Sequence, residues 1–410
     1  MSHEPAPAPQ PPGPFAGIHP NVLALGATSL LTDVSSEMLV PILPLFVTVT
    51  LGASVSSLGV IEGIAECTAS VLRLSSGWLS DRIGQRKPFA AFGYAFSGVA
   101  RSAMAFASSW GVVLAMRFTD RLGKALRTPA RDALLADSTA DAHLGRAFGL
   151  HRAMDTLGAA LGPLLGWWLL TRWHSLGAES YRRIFLVSGI PAALAVLVLL
   201  AFVKAAPAAP RVARTLAQQA GALGPAFRRF LVVDAAFQLG NSSMAFVLLR
   251  TQAAGWSASQ VSLVYLAYNL AYALLAWPFG ALSDRIGRRP LLFAAYAVYA
   301  GAYALLALAA THWGVVAAFL LLAVHSALIE GQARSLLADL VPRDLRATAY
   351  GVHATVAGLA LLPASIVAGA LWDRVGPAAP FALGAGLALL AAVLLAALLP
   401  TAREHADRAA

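Results

Sequence analysis

Charge is scarce in this chain of 410 residues. Asp, Glu, Lys and Arg make up 12% of it, against about 25% in soluble domains. That shortage excludes a soluble globular enzyme, a disordered protein and a fibrous one. Cysteine is almost missing. The single Cys67 rules out an internal disulfide and a cysteine-based zinc cluster, and its apolar run predicts a small buried residue. No G-x-x-x-x-G-K-[ST] run occurs, so ATP is not the expected energy source and no cofactor is called for. No His, Asp and Glu set has the spacing of a metal site. No segment alternates as a membrane barrel strand does. The opening MSHEPAPAPQPPGPFAGIHP lacks the basic region of a signal peptide and reads as a disordered cytoplasmic tail over 1–20.

Apolar residues, by contrast, make up 58% of the chain, and the mean hydropathy is +0.68. That supplies about twelve spans of roughly 20 apolar residues each. Runs separated by charged or Gly/Pro breaks predict spans 1 to 12 at 21–48, 57–77, 89–108, 110–127, 146–171, 183–203, 230–249, 258–280, 290–310, 313–333, 347–371 and 377–399. The predicted fold class is an all-α membrane protein of twelve transmembrane helices, with both termini on one side. Basic residues choose that side. Arg82, Arg86 and Lys87 follow span 2. Lys124, Arg127, Arg131 and Arg146 follow span 4, and Lys204, Arg211, Arg214, Arg228 and Arg229 lie in the middle loop. Arg285, Arg288 and Arg289 follow span 8, and Arg334, Arg343 and Arg346 follow span 10. The opposite loops hold only Arg172, Arg182, Arg183, Arg250 and Arg374. Both termini are therefore expected in the cytoplasm, in a cell inner (plasma) membrane. The net charge of +10 reads as basic loops beside anionic lipid, not as a nucleic-acid site.

The sequence repeats itself at half length. GWLSDRIGQR at 77–86 returns as GALSDRIGRR at 280–289, a shift of 203 positions. LLAD at 134–137 returns at 336–339, and Phe148-Gly149-Leu150-His151 returns as Tyr350-Gly351-Val352-His353. Two landmarks at almost one shift predict two related six-helix bundles, 21–203 and 230–400, joined by a cytoplasmic linker at 204–229, with a tail at 401–410. Such bundles enclose a cavity at their interface, and rocking exposes it to each side in turn.

The loop GWLSDRIGQRK resembles the signature loop of the major facilitator superfamily, G-x-L-[ST]-D-R-x-G-[RQ]-[KR]-[KR], and GALSDRIGRR its second copy between spans 8 and 9. The resemblance implies a conformational switch at Gly77, Asp81, Arg82, Gly84 and Arg86, and at Gly280, Asp284, Arg285, Gly287 and Arg289. Asp81 can cap a helix N-terminus and the arginines can bridge to carboxylates. Arg117, Gly123, Ala125 and Pro129 look like the family's helix-4 motif, with Asp120 and Arg121 in place of its Gln and Gly. The resemblance to drug–proton antiporters implies a part in proton coupling for Arg117. Gly149, Gly158, Gly162, Pro163 and Gly166 are similar to the antiporter motif of helix 5, departing only at Trp167. Independently of any family, Gly158, Gly162 and Gly166 form a stripe that admits close contact with a facing helix.

Charges inside the bilayer cost several kcal/mol and mark function. The first half holds Asp33, Glu37, Glu62, Glu66, Asp120 and Asp155, with Arg73, Arg101, Arg117, Arg121 and Arg152. The second holds only Asp234 and Glu330. The first half is thus expected to carry the proton machinery: Asp33, Glu37, Arg117, Glu66 and Asp155. Asp33 and Glu37 share a face of span 1, and neighbouring desolvated carboxylates resist ionising together, as proton exchange requires. Glu62, Glu66 and Arg73 share a stripe on span 2 and read equally as a structural ion pair. Asp155 reads as a coupling residue or as a partner of Arg152. His325 and His353 read as packing residues. Neutral substrate contacts are expected from Ser36, Gln238, Asn241, Tyr265 and Asn269. The reading is a monomeric, proton-coupled exporter of a small molecule and not an enzyme. An uptake symporter on the same fold and a non-transporting membrane sensor are the alternatives.

Overall fold

The computed structural model describes residues 19–83, 85–139, 143–204, 223–308, 311–342 and 345–399. The terminal tails and most of the linker expected at 204–229 lie outside these residues. Twelve helical spans follow one another, and no strand occurs among the described residues. Span 1 is Pro20–Glu37 continued by Leu43–Leu45 and a π-helical turn, Phe46–Thr50. Span 2 is Val55–Ile83, span 3 Arg86–Ala103, span 4 Trp110–Asp137, span 5 Leu144–Arg172 and span 6 Ala178–Phe202. Span 7 is Pro225–Gly240 with Met244–Ala253, span 8 Ala258–Ile286, span 9 Arg288–Leu308, span 10 His312–Leu340, span 11 Arg346–Arg374 and span 12 Ala379–Leu398.

Among the described residues eight helices are long and apolar enough to cross a membrane: spans 2 and 6 to 12. Spans 1, 3, 4 and 5 fall short, all in the half that carries the intramembrane charges. Within each half the same pairs touch. Spans 1–5, 2–4, 3–4 and 3–6 pack in the first bundle, and spans 7–11, 8–10, 9–10 and 9–12 in the second. The halves meet through spans 2 and 11 and through spans 5 and 8, a pseudo-twofold arrangement.

Three expectations need correction. Spans 1 and 7 are not continuous. Pro41 lacks an N–H and its ring clashes with the carbonyl one turn back, so the helix stops at Glu37. Span 7 stops at Gly240, and Ser243 caps the next segment by accepting from Ala245 N. Glu37 and Gly240 are 203 positions apart, so the breaks themselves are part of the repeat. Span 4 runs beyond the expected 127 through Pro129 to Asp137. Lys124, Arg127 and Arg131 therefore belong to a helix and not to a loop. Cys67 is half-buried.

The interface is closed at the end where span 2 begins and span 11 finishes. Gly59 and Gly63 of span 2 meet the backbone of Ser365 and Leu362 on span 11, and Gly369 meets Val55 and Ser56. Asp373 accepts from Val55 N (3.2 Å), Ser56 N (2.8 Å) and Ser56 Oγ (2.5 Å). This places a carboxylate on the N-terminus of span 2, where the helix dipole favours it.

Candidate functional site: a charged cavity between the halves

The cavity has a volume of about 410 Å³ and lies between the two broken helices. Its lining includes Glu37, Leu39, Val40, Leu43 and Pro44 around the first break, and Asn241, Ser242, Ser243, Met244 and Ala245 around the second. Backbone freed from helical pairing at membrane depth is tolerated where it lines a cavity. The sequence carried this signal in Pro41, Pro44 and the run GNSS, of which only Asn241 entered the expected substrate contacts.

Span 4 supplies one wall: Arg117, Asp120, Arg121, Lys124 and Arg127. It is drawn against span 3 by glycines. A methyl on Gly123 would stand 2.7 Å from Gly93 O. This approach brings Arg101 Nε to 3.2 Å from Asp120 Oδ1. Arg101 also donates to Ser35 Oγ (2.7 Å) and Thr32 O (3.1 Å), tying span 3 to span 1. Span 2 supplies the facing acids. Arg117 Nη2 donates to Glu62 Oε1 at 2.8 Å, and Arg121 Nη2 lies 3.0 Å from Glu66 Oε1. Asp120 stands 3.7 Å from Arg117 and 4.0 Å from Arg121. Of the expected proton machinery, Arg117 is therefore paired with neither Asp33 nor Glu37 but with Glu62. Spans 2 and 4 are neighbours, so the span 2 acids reach the arginines first. The side chain of Arg73 lies outside the described residues.

Span 1 supplies Asp33, Ser36 and Glu37, and the glycine stripe of span 5 seats it. A methyl on Gly158 would lie 2.9 Å from Asp33 Cβ, one on Gly162 2.7 Å from Glu37 Cβ, and one on Gly166 3.0 Å from Met38 O. Pro163 is buried beside this stripe, while Gly149 has open space around it. The Asp33 carboxylate has no hydrogen bond or ion pair among the described residues, while its backbone carbonyl accepts from Ser36 Oγ at 3.4 Å. Glu37 Oε2 accepts from the Tyr265 hydroxyl at 2.8 Å, and Glu62 Oε2 accepts from Ser243 Oγ at 2.9 Å. Both donors belong to the second half.

The other expected residues are placed as follows. Ser36, Asn241 and Tyr265 line the cavity. Gln238 lies behind that lining and accepts from Asn241 Nδ2 at 2.9 Å. Asn269 donates to Ala159 O at 3.0 Å, joining span 8 to span 5. Asp155 is not a lining residue. It stands 3.5 Å from His151 Nδ1, and Arg152 donates instead to the Tyr272 hydroxyl at 2.7 Å. His325 is a packing residue held by Ala295 O at 2.8 Å, whereas His353 pairs with Asp234 of span 7 at 3.0 Å.

In the loop motifs, the surroundings of Gly77, the side chains of Asp81, Arg82 and Asp284, and Gly84 as a whole, lie outside what is described. Arg86 pairs with Asp137, and Arg288 with Asp339. These acids close the two LLAD repeats, a repeated signal to which the sequence reading gave no role. Arg289 donates to Ala396 O at 2.9 Å. Gly287 ends span 8 at φ +88°, and a methyl on Gly280 would meet nothing within 4 Å. Arg285 lies exposed in the last turn of span 8.

Twelve spans in two pseudo-symmetric bundles around a polar cavity define a secondary membrane transporter fold. The chain belongs to the Major Facilitator Superfamily, whose family model matches residues 25–251 and 230–410. It is 34% identical over 381 residues to an uncharacterized MFS-type transporter of Methanocaldococcus jannaschii, covering 92% of this chain and 94% of that one. A shorter stretch of 129 residues is 33% identical to a multidrug resistance protein B homolog of Mycobacterium tuberculosis, covering 32% of this chain and 22% of that protein. Among solved structures, a mutant of the nucleoside transporter NupG has the same fold, with a TM-score of 0.79 at 14% identity over 92% of this chain and all of that one.

Proposed function

We propose that this transporter is a proton-coupled exporter of a small molecule, working by alternating access across the cytoplasmic membrane with both termini inside. The observation that carries this reading is the Glu37–Tyr265 hydrogen bond across the two halves. An ionised carboxylate accepts strongly, and a protonated one spends an oxygen as a donor. Gaining or losing a proton at Glu37 thus alters one of the contacts between the halves, and Asp33, one turn back, shares the cavity. The stretch shared with a multidrug resistance homolog favours export over uptake.

In liposomes, Asp33→Asn and Glu37→Gln are expected to lose pH-driven flux while staying folded and inserted and keeping energy-independent exchange at saturating substrate. Flux at the wild-type level in both variants refutes the assignment. Loss of the folded protein together with flux makes the two acids structural. Orientation has its own measurement. Reporter fusions near Gln218 and at the C-terminus should both read cytoplasmic, and a signal from the opposite side at either position contradicts the orientation.

A further inference from the structure

Three of the five cations lining the cavity are matched by carboxylates: Arg117 by Glu62, Arg121 by Glu66 and Arg101 by Asp120. Two cations and two carboxylates are left over. Among the described residues, neither Lys124 nor Arg127 has a carboxylate within ion-pair distance. Arg127 lies over the Tyr94 ring, 4.6 Å from its centroid. It is only 8% exposed, and its buried Nη1 has no hydrogen-bond partner among the described residues. In the same lining, on span 1, the Asp33 carboxylate has no hydrogen-bond or ion-pair partner there and the Glu37 carboxylate accepts only from Tyr265.

Unmatched charges of both signs at membrane depth are expensive unless something satisfies them. From this leftover set we infer that the cavity takes a zwitterion: an ammonium group at Asp33 and Glu37, and a carboxylate or phosphate group at Lys124 and Arg127. The inference rests on reading this cavity as the transport site. A singly charged ligand satisfies one pair and is repelled by the other, whereas a zwitterion satisfies both. A volume of about 410 Å³ suits an amino acid or a short peptide, at the lower end of small-ligand sites. Asn241, Ser242 and Ser243 of the second half add neutral hydrogen-bonding groups to the lining. The ammonium group and protons then exclude one another at the same two carboxylates. That competition is what exchange demands, and it assigns the two ends of the substrate to spans 1 and 4.

The test is equilibrium binding to the purified full chain in lipid nanodiscs at one fixed pH, with no gradient. The probes are phenylalanine, glycylphenylalanine and phosphoethanolamine. Each is measured beside a counterpart carrying only the cation and one carrying only the anion. At least one zwitterion is expected to bind about ten- to a hundredfold more tightly than either counterpart, the worth of a charge-assisted contact. Lys124→Gln should erase its advantage over the cation-only counterpart, and Asp33→Asn its advantage over the anion-only one. The wild-type comparison needs no variant to fold. No binding by any zwitterion, or equal binding by the counterparts, overturns the inference. Zwitterion binding without proton-driven flux removes coupled export and leaves this inference standing. Flux of a singly charged compound with no zwitterion preference does the reverse.

Discussion

Asp120→Asn is expected to unfold the first bundle rather than merely slow transport. Asp120 is 4% exposed and stands between Arg101, Arg117 and Arg121 at 3.2, 3.7 and 4.0 Å. Removing one partner of a buried ion pair costs about 3–5 kcal/mol, because it leaves charge that water cannot reach. Here Arg101, 2% exposed, loses its carboxylate. The asparagine keeps the shape and can still accept a hydrogen bond, so the loss isolates the charge. Thermal unfolding of purified protein in detergent should show a much lower midpoint for Asp120→Asn than for Glu66→Gln, whose carboxylate is 38% exposed and keeps access to water. Adding Arg101→Met to Asp120→Leu should recover much of the loss, since a buried pair replaced by apolar groups of similar size is often neutral. Equal midpoints for the Asp120 and Glu66 variants would show that this cluster does not hold the bundle.

A second large effect separates two kinds of glycine contact. Gly59→Leu drives a side chain into the Ser365 carbonyl of span 11, in the other half. Gly162→Leu drives one against Glu37 and Met38 of span 1, in the same half. Neither backbone can move aside without shifting a helix, and overpacking of this kind costs about 1–3 kcal/mol. The first clash is relieved when the halves separate at the closed face. The second is not relieved by rocking, because spans 1 and 5 travel together. Gly59→Leu is therefore expected to stay folded with that face open, and Gly162→Leu to lose stability. A cysteine at Ser365, buried at 2%, in a Cys67→Ser background reports the difference. A membrane-impermeant maleimide should label it about tenfold faster with Gly59→Leu, as a bias of about 1.4 kcal/mol toward the open state requires. Unchanged labelling in Gly59→Leu would deny that the span 2–span 11 contact is a gate.

The halves, the lopsided charge and the glycine stripe were legible because each is a property of one segment or of two matching segments. Asp33 and Glu37 lie on one face at i,i+4, and Gly158, Gly162 and Gly166 line another helix, whatever surrounds them. That span 1 fits onto that stripe, with a glycine behind each acid, was not legible. Nothing in the spacing of span 5 names its neighbour. The misplacement of Lys124 and Arg127 had a local cause. Pro129 and four basic residues imitate a loop, yet the helix continues to Asp137.

By itself, then, the sequence determined that the chain crosses a membrane about twelve times, in two related bundles, with most of the intramembrane charges in the first. Hydropathy and repetition are read along the chain and need no partner. The tertiary structure alone decided which charges cancel. Arg117 could have met Asp33, Glu37 or Glu62, and a helix face fixes only direction, not the helix it points toward. The packing of spans 2 and 4 gave Glu62 to Arg117 and Glu66 to Arg121. It left Asp33, Glu37, Lys124 and Arg127 in the cavity lining without an ion pair among the described residues, because in a low-dielectric interior an ion pair forms with the group a few ångströms away and not with the one that spacing alone suggests.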